Sequence, residues 1–422
     1  MEPEPHPVIG ARPAGPSLSR PLLVVALGVL LGLLAALAFG IYRYVQPLPV
    51  LVPVTSFPSS VEGATAPGSF PWPAQGQAAI AVDGVGLVAN HGAALGARPI
   101  ASTTKIMTAL LILEHHPLAP GEDGPTLTLT PADEADYRKA VSLDESSVPV
   151  QAGEQITERQ LLEGLLLPSA NNFARILATW DAGSEASFVA AMNARAKALG
   201  MHDTTFADSS GFSDKTVSTA VDMLTLIQVA MRDAAFAQVA GMASATLPVA
   251  GEVHNTNMIL GKDGVVAGKT GSTDQAGGCL IVAADRPDST GKTQRVYVVV
   301  MGTQESKDSL ENVFPATTAI LDAIPQWLVS KRVISAGQAA GSYTAPWGGS
   351  VDAVSASDLT VTAWAGTPIS DKVTLDPIHA PIGETSKVGE ITVTAGDRTQ
   401  RVDLVTAGGL AGPGLAWRLN RN

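Results

Sequence analysis

The hydrophobic pattern begins with one uncharged apolar run near the start of the chain, residues 21–42 (PLLVVALGVLLGLLAALAFGIY). Its length matches the roughly 20 residues that a helix needs to cross the core of a bilayer. Arg12 and Arg20 precede the run and Arg43 follows it. This bias favours a cytoplasmic tail over residues 1–20 and an extracytoplasmic location for the rest. We therefore expect a transmembrane helix over residues 21–42.

An Ala-x-Ala-like signal at Ala36 and Ala38 leaves a cleaved signal peptide as the alternative. The apolar run continues past this signal to Tyr42 and is long for the apolar part of a signal peptide. The length therefore favours an uncleaved anchor.

Residues 43–74 are rich in proline, with serine, threonine, alanine and glycine between the prolines. Proline removes backbone donors and favours extended structure, so this composition predicts a semi-rigid linker between the membrane and the next domain. An ordered arm packed on that domain is the alternative that the composition leaves open.

Residues 75–330 combine helical and strand patterns, which predicts one α+β domain with an antiparallel sheet flanked by helices. The first strands form a hairpin within residues 76–92, with turn residues between its arms. The predicted helices and the later strands are, in order, Ser102–His116, Thr157–Leu166, one starting at Asn171, Phe188–Leu199, Thr219–Met231, strands Val265–Thr270, Cys279–Ala284 and Arg295–Met301, and helix Phe314–Val329.

The pattern changes again over residues 331–422. Short alternating segments such as SVDAVSA, LTVTAWA and GEITVTA recur there, bounded by glycine, proline and aspartate. Alternation with a period of two at regular spacing is typical of a small all-β sandwich. We therefore expect a separate C-terminal β domain.

Composition narrows the range of functions. The 422 residues carry a formal net charge of -12, and a nucleic-acid binder would need a clustered basic surface instead. The single cysteine, Cys279, excludes internal disulfides and CxxC zinc sites. The seven histidines show no metal-binding spacing such as H-E-x-x-H. We expect no metal and no cofactor.

The first chemical motif is S-x-x-K, formed by Ser102 and Lys105 at the start of a predicted helix. Side chains at positions i and i+3 share one face of a helix, so the Ser102 hydroxyl and the Lys105 amine can meet. A second copy, residues 289–292, lies between Pro287 and Gly291, where a helix is disfavoured. Only the first copy therefore predicts a serine nucleophile with a lysine base.

Two further motifs follow in the chain. Ser169 and Asn171 lie in a loop between two predicted helices, where a hydroxyl can transfer a proton and an amide can both donate and accept. Lys269 lies on a predicted strand, and its cation would lower the pKa of a neighbouring Lys105 amine. The residues after it, Thr270, Gly271 and Ser272, can bind a carboxylate and admit a substrate backbone. The Ser102 and Ser272 N–H groups are candidates for an oxyanion hole.

The contexts ASTTKIMTAL, LLLPSANNFARILA, DSSGF and GKTGSTDQAGGCLIVAA resemble the serine D-Ala-D-Ala carboxypeptidases, the low-molecular-mass penicillin-binding proteins. The resemblance spans residues 75–330 and implies a penicillin-recognising serine transpeptidase/β-lactamase-like fold. It implies that Ser102 is the nucleophile and Lys105 its base, that Ser169 and Asn171 line the second wall, and that Lys269, Thr270, Gly271 and Ser272 bind substrate.

The resemblance also implies partners. The substrate would be a peptidoglycan pentapeptide ending in D-Ala-D-Ala, and β-lactam antibiotics would inhibit by acylating Ser102. Two departures stand out: many relatives have aspartate where this chain has Asn172, and many have an arginine after the last sheet strand, where residues 301–313 have none.

Three other activities use the same site or fold. A β-lactamase needs a deacylating base, and only Glu185 and Glu252 lie between the second and third motifs, neither followed by asparagine four residues on. A D,D-endopeptidase would use the same residues. A non-catalytic wall-binding scaffold would be free to lose Ser102, Lys105 and Lys269, so their presence favours an enzyme.

Overall fold

The computed structural model describes residues 20–58, 63–303, 310–396 and 398–421. The helices α1–α10 are, in order, Arg20–Val45, Lys105–His115, Pro131–Ser142, Glu158–Leu166, Asn171–Ala182, Glu185–Ala198, Ala220–Ala230, Ala234–Ala240, Leu310–Trp327 and Leu415–Asn420. The strands β1–β19 are Val54–Thr55, Gln77–Val82, Gly86–His91, Arg98–Pro99, Thr126–Thr128, Gln155–Thr157, Val217–Ser218, Ser244–Leu247, Gly251–His254, Val265–Thr273, Gly277–Pro287, Thr293–Met301, Leu328–Ile334, Ala339–Thr344, Ser350–Ser355, Leu359–Trp364, Ile369–Leu375, Lys387–Ala395 and Arg398–Thr406.

Helix α1 contains the predicted apolar run. It has 26 residues, a mean hydropathy of 2.9 over its most apolar window, and no residue of that window is buried against the rest of the protein. By length and composition it can cross a membrane or serve as a signal sequence. The predicted cytoplasmic tail, residues 1–20, lies almost entirely outside the described residues.

The predicted antiparallel sheet is confirmed, and its five strands run in the order β10-β11-β12-β2-β3. Its strands are apolar on both faces because each face is covered. Cys279 and Ile281 of β11 belong to the core formed with the helices α2, α4, α5 and α7, whereas Leu280 and Val282 pack toward α9. The third motif lies on the edge strand β10, whose Ala267 belongs to the same core as α2, α4, α5 and α7.

The C-terminal strands form, together with β1, a six-stranded sheet, β1-β14-β15-β19-β18-β17, and by themselves a two-stranded sheet, β13-β16. Residues from both sheets, including Val361 of β16 with Ile391 and Leu404 of the larger sheet, share one core. This layering matches the sandwich that the alternating pattern predicts.

The linker prediction for residues 43–74 is corrected in part. Strand β1 pairs with β14, and Leu51 exchanges two backbone hydrogen bonds with Ile378, of 2.9 and 3.1 Å. Further along, Phe70 packs against Trp72 and Trp364. Apolar side chains between the prolines bury area against both folded units, so the described parts of this segment, residues 43–58 and 63–74, form an ordered arm, the alternative that the composition left open. The domain limits at 74/75 and 330/331 stay predictions.

Helix α3 is absent from the hydrophobic-pattern prediction because its sequence, PADEADYRKAVS, buries only Ala140. Local signals specify it instead. Thr130 and Asp133 form a capping box, and Pro131 occupies the first turn. The loop that follows this helix reaches the candidate active site.

Candidate active site

The serine of the first motif lies in a tight turn at the start of α2. Residues 101–104 form one turn of 3₁₀ helix, and the α-helix continues from Lys105. Ala101 has φ 47°, a left-handed conformation that a non-glycine residue adopts at a cost of about 1 kcal/mol or more. The turn therefore holds Ser102 in a conformation that the surrounding structure imposes.

Lys105 Nζ is fully buried and has three hydrogen-bond partners. It lies 2.8 Å from Ser102 Oγ, 2.6 Å from Asn171 Oδ1 and 2.8 Å from the Ser210 carbonyl oxygen. The amide and carbonyl oxygens only accept, so a neutral amine would donate its two N–H groups to them. Its lone pair would then face the Ser102 hydroxyl, the one partner of the three that has a proton to give.

The surroundings of Lys105 favour its neutral form. Burial lowers the pKa of its amine well below the ordinary 10.5, and the nearby Lys269 lowers it further, while Asp208 opposes the shift. Burial alone lowers the pKa of Lys269 to about 7. The lowering of the Lys105 pKa by Lys269 agrees with the role of a second cation that the sequence predicts for Lys269.

Gly271 is required by the packing of the chain's own backbone. A Cβ at this position would lie 2.9 Å from Ser102 N and 3.0 Å from Thr103 N. Gly211 also packs closely against this turn, since a Cβ at position 211 would lie 1.8 Å from Ala101 O. The two glycines therefore admit the chain's own backbone and enclose the turn that carries Ser102, and approach of the substrate backbone at Gly271 stays a prediction.

The second motif lies in the loop between α4 and α5. Ser169 has φ 68° and is 5% exposed, and its Oγ has no hydrogen-bond partner among the described residues. A buried hydroxyl without a partner in a left-handed conformation is costly on both counts. Asn171 begins α5 and contacts Lys105, so the structure brings the first two motifs together.

The third motif contributes one wall of the active-site cavity. A cavity of about 830 Å³ opens beside Ser102, and Asn171 and Ser272 also line it. Thr270 is buried, and its hydroxyl lies 2.6 Å from that of Thr256 rather than facing the cavity. Lys269 Nζ donates to the Thr270 carbonyl at 3.1 Å. The structure therefore places Ser272 at the cavity surface and Lys269 and Thr270 behind it.

Sequence reasoning missed several residues of this site. Thr256 joins the third motif to the loop that carries the second, because its hydroxyl contacts Thr270 and donates to the Leu167 carbonyl at 3.3 Å. Asp208 accepts from the Ser210 hydroxyl at 2.7 Å and fixes the loop that supplies a carbonyl to Lys105. The DSSGF segment marks this loop in the sequence, whereas nothing in the sequence distinguishes Thr256 from other surface threonines.

The side chain of Asn172 binds the backbone of the loop before α5. Its Oδ1 accepts from Val148 N at 3.1 Å, and its Nδ2 donates to Val148 O at 2.9 Å. An asparagine can make both bonds, while the aspartate of many relatives could only accept. The substitution therefore suits the loop before α5. Residues 304–309, within the segment where many relatives have an arginine, lie outside the described residues.

The single cysteine and the two histidines at the end of α2 do not line the active-site cavity. Cys279 is fully buried, and burial raises the pKa of its thiol to about 11, which makes it an inert small apolar residue. His115 Nδ1 and His116 Nε2 lie 2.9 and 3.0 Å from Asp181 Oδ1. A carboxylate on α5 therefore binds both histidines at the end of α2.

We expect Lys269→Met to raise the melting temperature at pH 6. The folded protein binds the Lys269 proton more weakly than the unfolded chain, so the stability of the wild type falls as the pH drops from about 10.5 to about 7. Methionine fills a similar volume without a charge, so the gain should shrink as the pH rises toward 10. Thermal unfolding across this range measures the effect, with the exposed Lys262→Met as the control. An equal or lower melting temperature at pH 6 would contradict it.

Comparisons with known proteins agree with this geometry. The peptidase S11 family profile, described as D-alanyl-D-alanine carboxypeptidase, matches residues 69–305. A D-alanyl-D-alanine carboxypeptidase of Mycobacterium tuberculosis is 35% identical over 197 residues, which cover 45% of this chain and 63% of that protein. A D-alanyl-D-alanine endopeptidase of Escherichia coli is 29% identical over 255 residues, which cover 58% of this chain and 74% of that protein.

A solved structure shows that the fold likeness extends beyond the matched region. A peptidoglycan synthesis regulatory factor from Streptococcus pneumoniae superposes with a TM-score of 0.59 at 21% identity, covering 83% of this chain and all of that one. The penicillin-binding protein fold that the motifs predict is confirmed. Because the profile matches more than half of the chain, this protein belongs to the peptidase S11 family of D-alanyl-D-alanine carboxypeptidases and is a serine peptidase.

Proposed function

We propose that this protein is a membrane-anchored, extracytoplasmic D-Ala-D-Ala carboxypeptidase that removes the terminal D-Ala from peptidoglycan stem peptides. The observation that carries the proposal is the contact between Ser102 and Lys105. A buried amine with a lowered pKa lies 2.8 Å from a hydroxyl that lines an open cavity. This is the arrangement that turns a weakly nucleophilic serine into a reactive one.

In the acylation step, Ser102 Oγ attacks the carbonyl carbon of the penultimate D-Ala while its proton passes to Lys105 Nζ. The negative charge that develops on the carbonyl oxygen is stabilised by the Ser102 and Ser272 N–H groups. The C–N bond then breaks, and the departing amine of the terminal D-Ala takes up a proton. The Ser169 hydroxyl, buried and unpaired among the described residues, transfers this proton.

Deacylation repeats the chemistry with water as the nucleophile. Water loses a proton to Lys105 and attacks the Ser102 ester, and the proton returns to Ser102 Oγ as the C–O bond breaks. A β-lactam enters at the first step, because its strained amide mimics the D-Ala-D-Ala bond and leaves an ester on Ser102. That ester hydrolyses slowly, so β-lactams act as covalent inhibitors.

The substrate carboxylate binds at the third motif. Lys269 supplies the positive charge and Ser272 a hydroxyl at the cavity wall, while Thr270 orders the strand between them. Because the pKa of Lys269 is near 7, a bound carboxylate would also hold it in its charged form. The overall charge of -12 does not attract an anionic substrate, so binding depends on this local cluster.

The other activities receive less support. Glu185 lines the cavity, but its carboxylate accepts two hydrogen bonds from Ser209, of 3.0 and 2.6 Å. Glu252 is exposed on the hairpin strand β9. Neither is placed as the deacylating base of a β-lactamase. An endopeptidase is supported by the relatives of that name, among them the Escherichia coli protein.

The membrane anchor follows from α1. All of its large apolar side chains are exposed, which is stable only within a lipid environment or in contact with another protein. The arm that follows α1 is paired with the C-terminal strands. We propose that α1 spans the membrane once and that the arm holds the β domain near its outer surface.

The test is hydrolysis by the full-length protein in detergent micelles. We expect free D-Ala from a pentapeptide ending in D-Ala-D-Ala. Cleavage of cross-linked muropeptide dimers without D-Ala release from the pentapeptide would replace the carboxypeptidase by an endopeptidase. Binding to isolated cell wall with no hydrolysis of either substrate would favour a scaffold and overturn the proposal.

A further inference from the structure

The orientation of the Asn171 amide decides what Lys105 can do. Its Oδ1 faces Lys105 Nζ, and its Nδ2 donates to Glu145 Oε2 at 2.9 Å. If the amide were reversed, an N–H would point at the amine and compete with the Ser102 hydroxyl for its lone pair. The activity of Lys105 as a base therefore depends on whatever holds this amide.

Glu145 is the group on the other side of the amide. A carboxylate only accepts hydrogen bonds, so it selects the amide nitrogen and leaves the oxygen for Lys105. The side chain of Glu145 is 6% exposed and also accepts from Arg175 Nη1 at 2.9 Å. A buried carboxylate bound by an arginine and an amide is strongly held, since hydrogen bonds to charged groups are about twice as strong as neutral ones.

We propose that Glu145 and Arg175 are positioning residues for Ser102 acylation: the carboxylate of Glu145, itself held by Arg175, orients the Asn171 amide so that the lone pair of Lys105 is left for the Ser102 hydroxyl. This inference rests on the proposed function, because it assigns Lys105 the role of base.

The rest of the structure supports this role. Arg175 also donates to Asp136 of α3 at 2.8 Å, so the guanidinium joins helix α3 to the start of α5. The Asn171 N–H donates to the Ser146 carbonyl at 2.7 Å, which fixes the backbone beside Glu145. The hydrogen bonds therefore run from α3 through Arg175, Glu145 and Asn171 to Lys105.

These residues also act on Lys105 through their charges. The negative charge of Glu145 raises the pKa of Lys105 and the positive charge of Arg175 lowers it. Among the described residues, the other charged groups that act on Lys105 are Lys269, which lowers this pKa, and Asp208, which raises it. Since acylation requires neutral Lys105, the rate rises with pH through this pKa. Removal of Glu145 or Arg175 should therefore move the acidic limb of the pH profile in opposite directions.

The experiment measures the second-order rate constant of acylation by a chromogenic cephalosporin as a function of pH, with the full-length protein. For Glu145→Gln we expect the acylation rate constant at the pH plateau to fall by about 10- to 100-fold, the equivalent of one hydrogen bond to a charged group. We also expect the acidic limb of its pH profile to move to lower pH. The introduced glutamine amide can donate to Asn171 Oδ1 and so permit the reversed orientation of the Asn171 amide. For Arg175→Met we expect the acidic limb of the pH profile to move to higher pH.

Two further variants separate the role from simple packing. Glu145→Asp keeps a charged, acceptor-only group and should keep the limb near its wild-type position with a smaller loss of rate. Glu163→Gln removes a carboxylate that is similarly buried and paired with Arg159, and should leave the profile unchanged. Rates of Glu145→Gln and Arg175→Met equal to the wild type, or equal losses with no opposite shifts, would overturn the proposal. If the wild type itself is not acylated, the proposed function fails and this inference falls with it.

Discussion

Replacing Ser102 with alanine is expected to lower the rate of D-Ala release by at least about 10³-fold, because it removes the nucleophile and closes the covalent route. Ser102 is half-buried in its turn, and the turn is enclosed by Gly211 and Gly271. Loss of one hydroxyl leaves these backbone contacts in place, so the variant should fold. D-Ala released from the pentapeptide is measured under saturating substrate.

The matched control is Ser289→Ala, which changes the serine of the second S-x-x-K copy. Ser289 Oγ accepts from Ser330 N at 3.0 Å in a turn after β11 and does not line the active-site cavity. It should retain wild-type activity. D-Ala release by Ser102→Ala within tenfold of the wild type would show that another residue is the nucleophile.

Replacing Lys105 with methionine is expected to lower the acylation rate by about 10²- to 10⁴-fold, the range attributed to general acid–base catalysis. Methionine fills the buried site but cannot accept the Ser102 proton. It also leaves Asn171 Oδ1 and the Ser210 carbonyl without the N–H donor of Lys105. Acylation by the chromogenic cephalosporin measures the loss.

Thermal unfolding separates the loss of the base from loss of the fold in this variant. A cooperative transition close to that of the wild type should accompany the lost acylation, since burial of an amine is itself costly. Lys262→Met, which changes an exposed lysine, should keep the wild-type rate. An acylation rate for Lys105→Met within fivefold of the wild type would exclude Lys105 as the base.

The sheet and the contact between Ser102 and Lys105 could be predicted because both depend on local patterns. Strands β10, β11 and β12 are β-branched runs between turn residues, and their type follows from composition. Ser102 and Lys105 are three residues apart at the start of a helix, so helical geometry alone brings them to 2.8 Å. The order of the three motifs then identifies the family.

The parts that escape prediction depend on contacts between distant segments. In the sequence, Glu145 is a charged residue in a polar loop. Its contact with Asn171 depends on how α3 and α5 are placed in the fold. The sequence assigns Gly271 to the substrate because no pattern shows that the turn at Ser102 packs against β10. The arm at Leu51 pairs with Ile378, more than 300 residues further along the chain. A pattern of residue types does not encode such partners.

The buried lysines show a cost that function imposes on this fold. Lys105 and Lys269 are among the largest fully buried side chains, and burial lowers the pKa of both. A core selected for stability alone would replace them with apolar residues of similar volume. Their retention beside Ser102 agrees with a site that uses one amine as a base and the other as a cation.

The most direct test of the central claim is to locate the covalent adduct that a penicillin forms with the wild-type protein. The full-length protein is incubated with benzylpenicillin, digested and analysed by peptide mass spectrometry. We predict one penicilloyl group, on the peptide that contains Ser102. No adduct, or an adduct on a peptide that lacks Ser102, would contradict the assignment of this serine as the nucleophile.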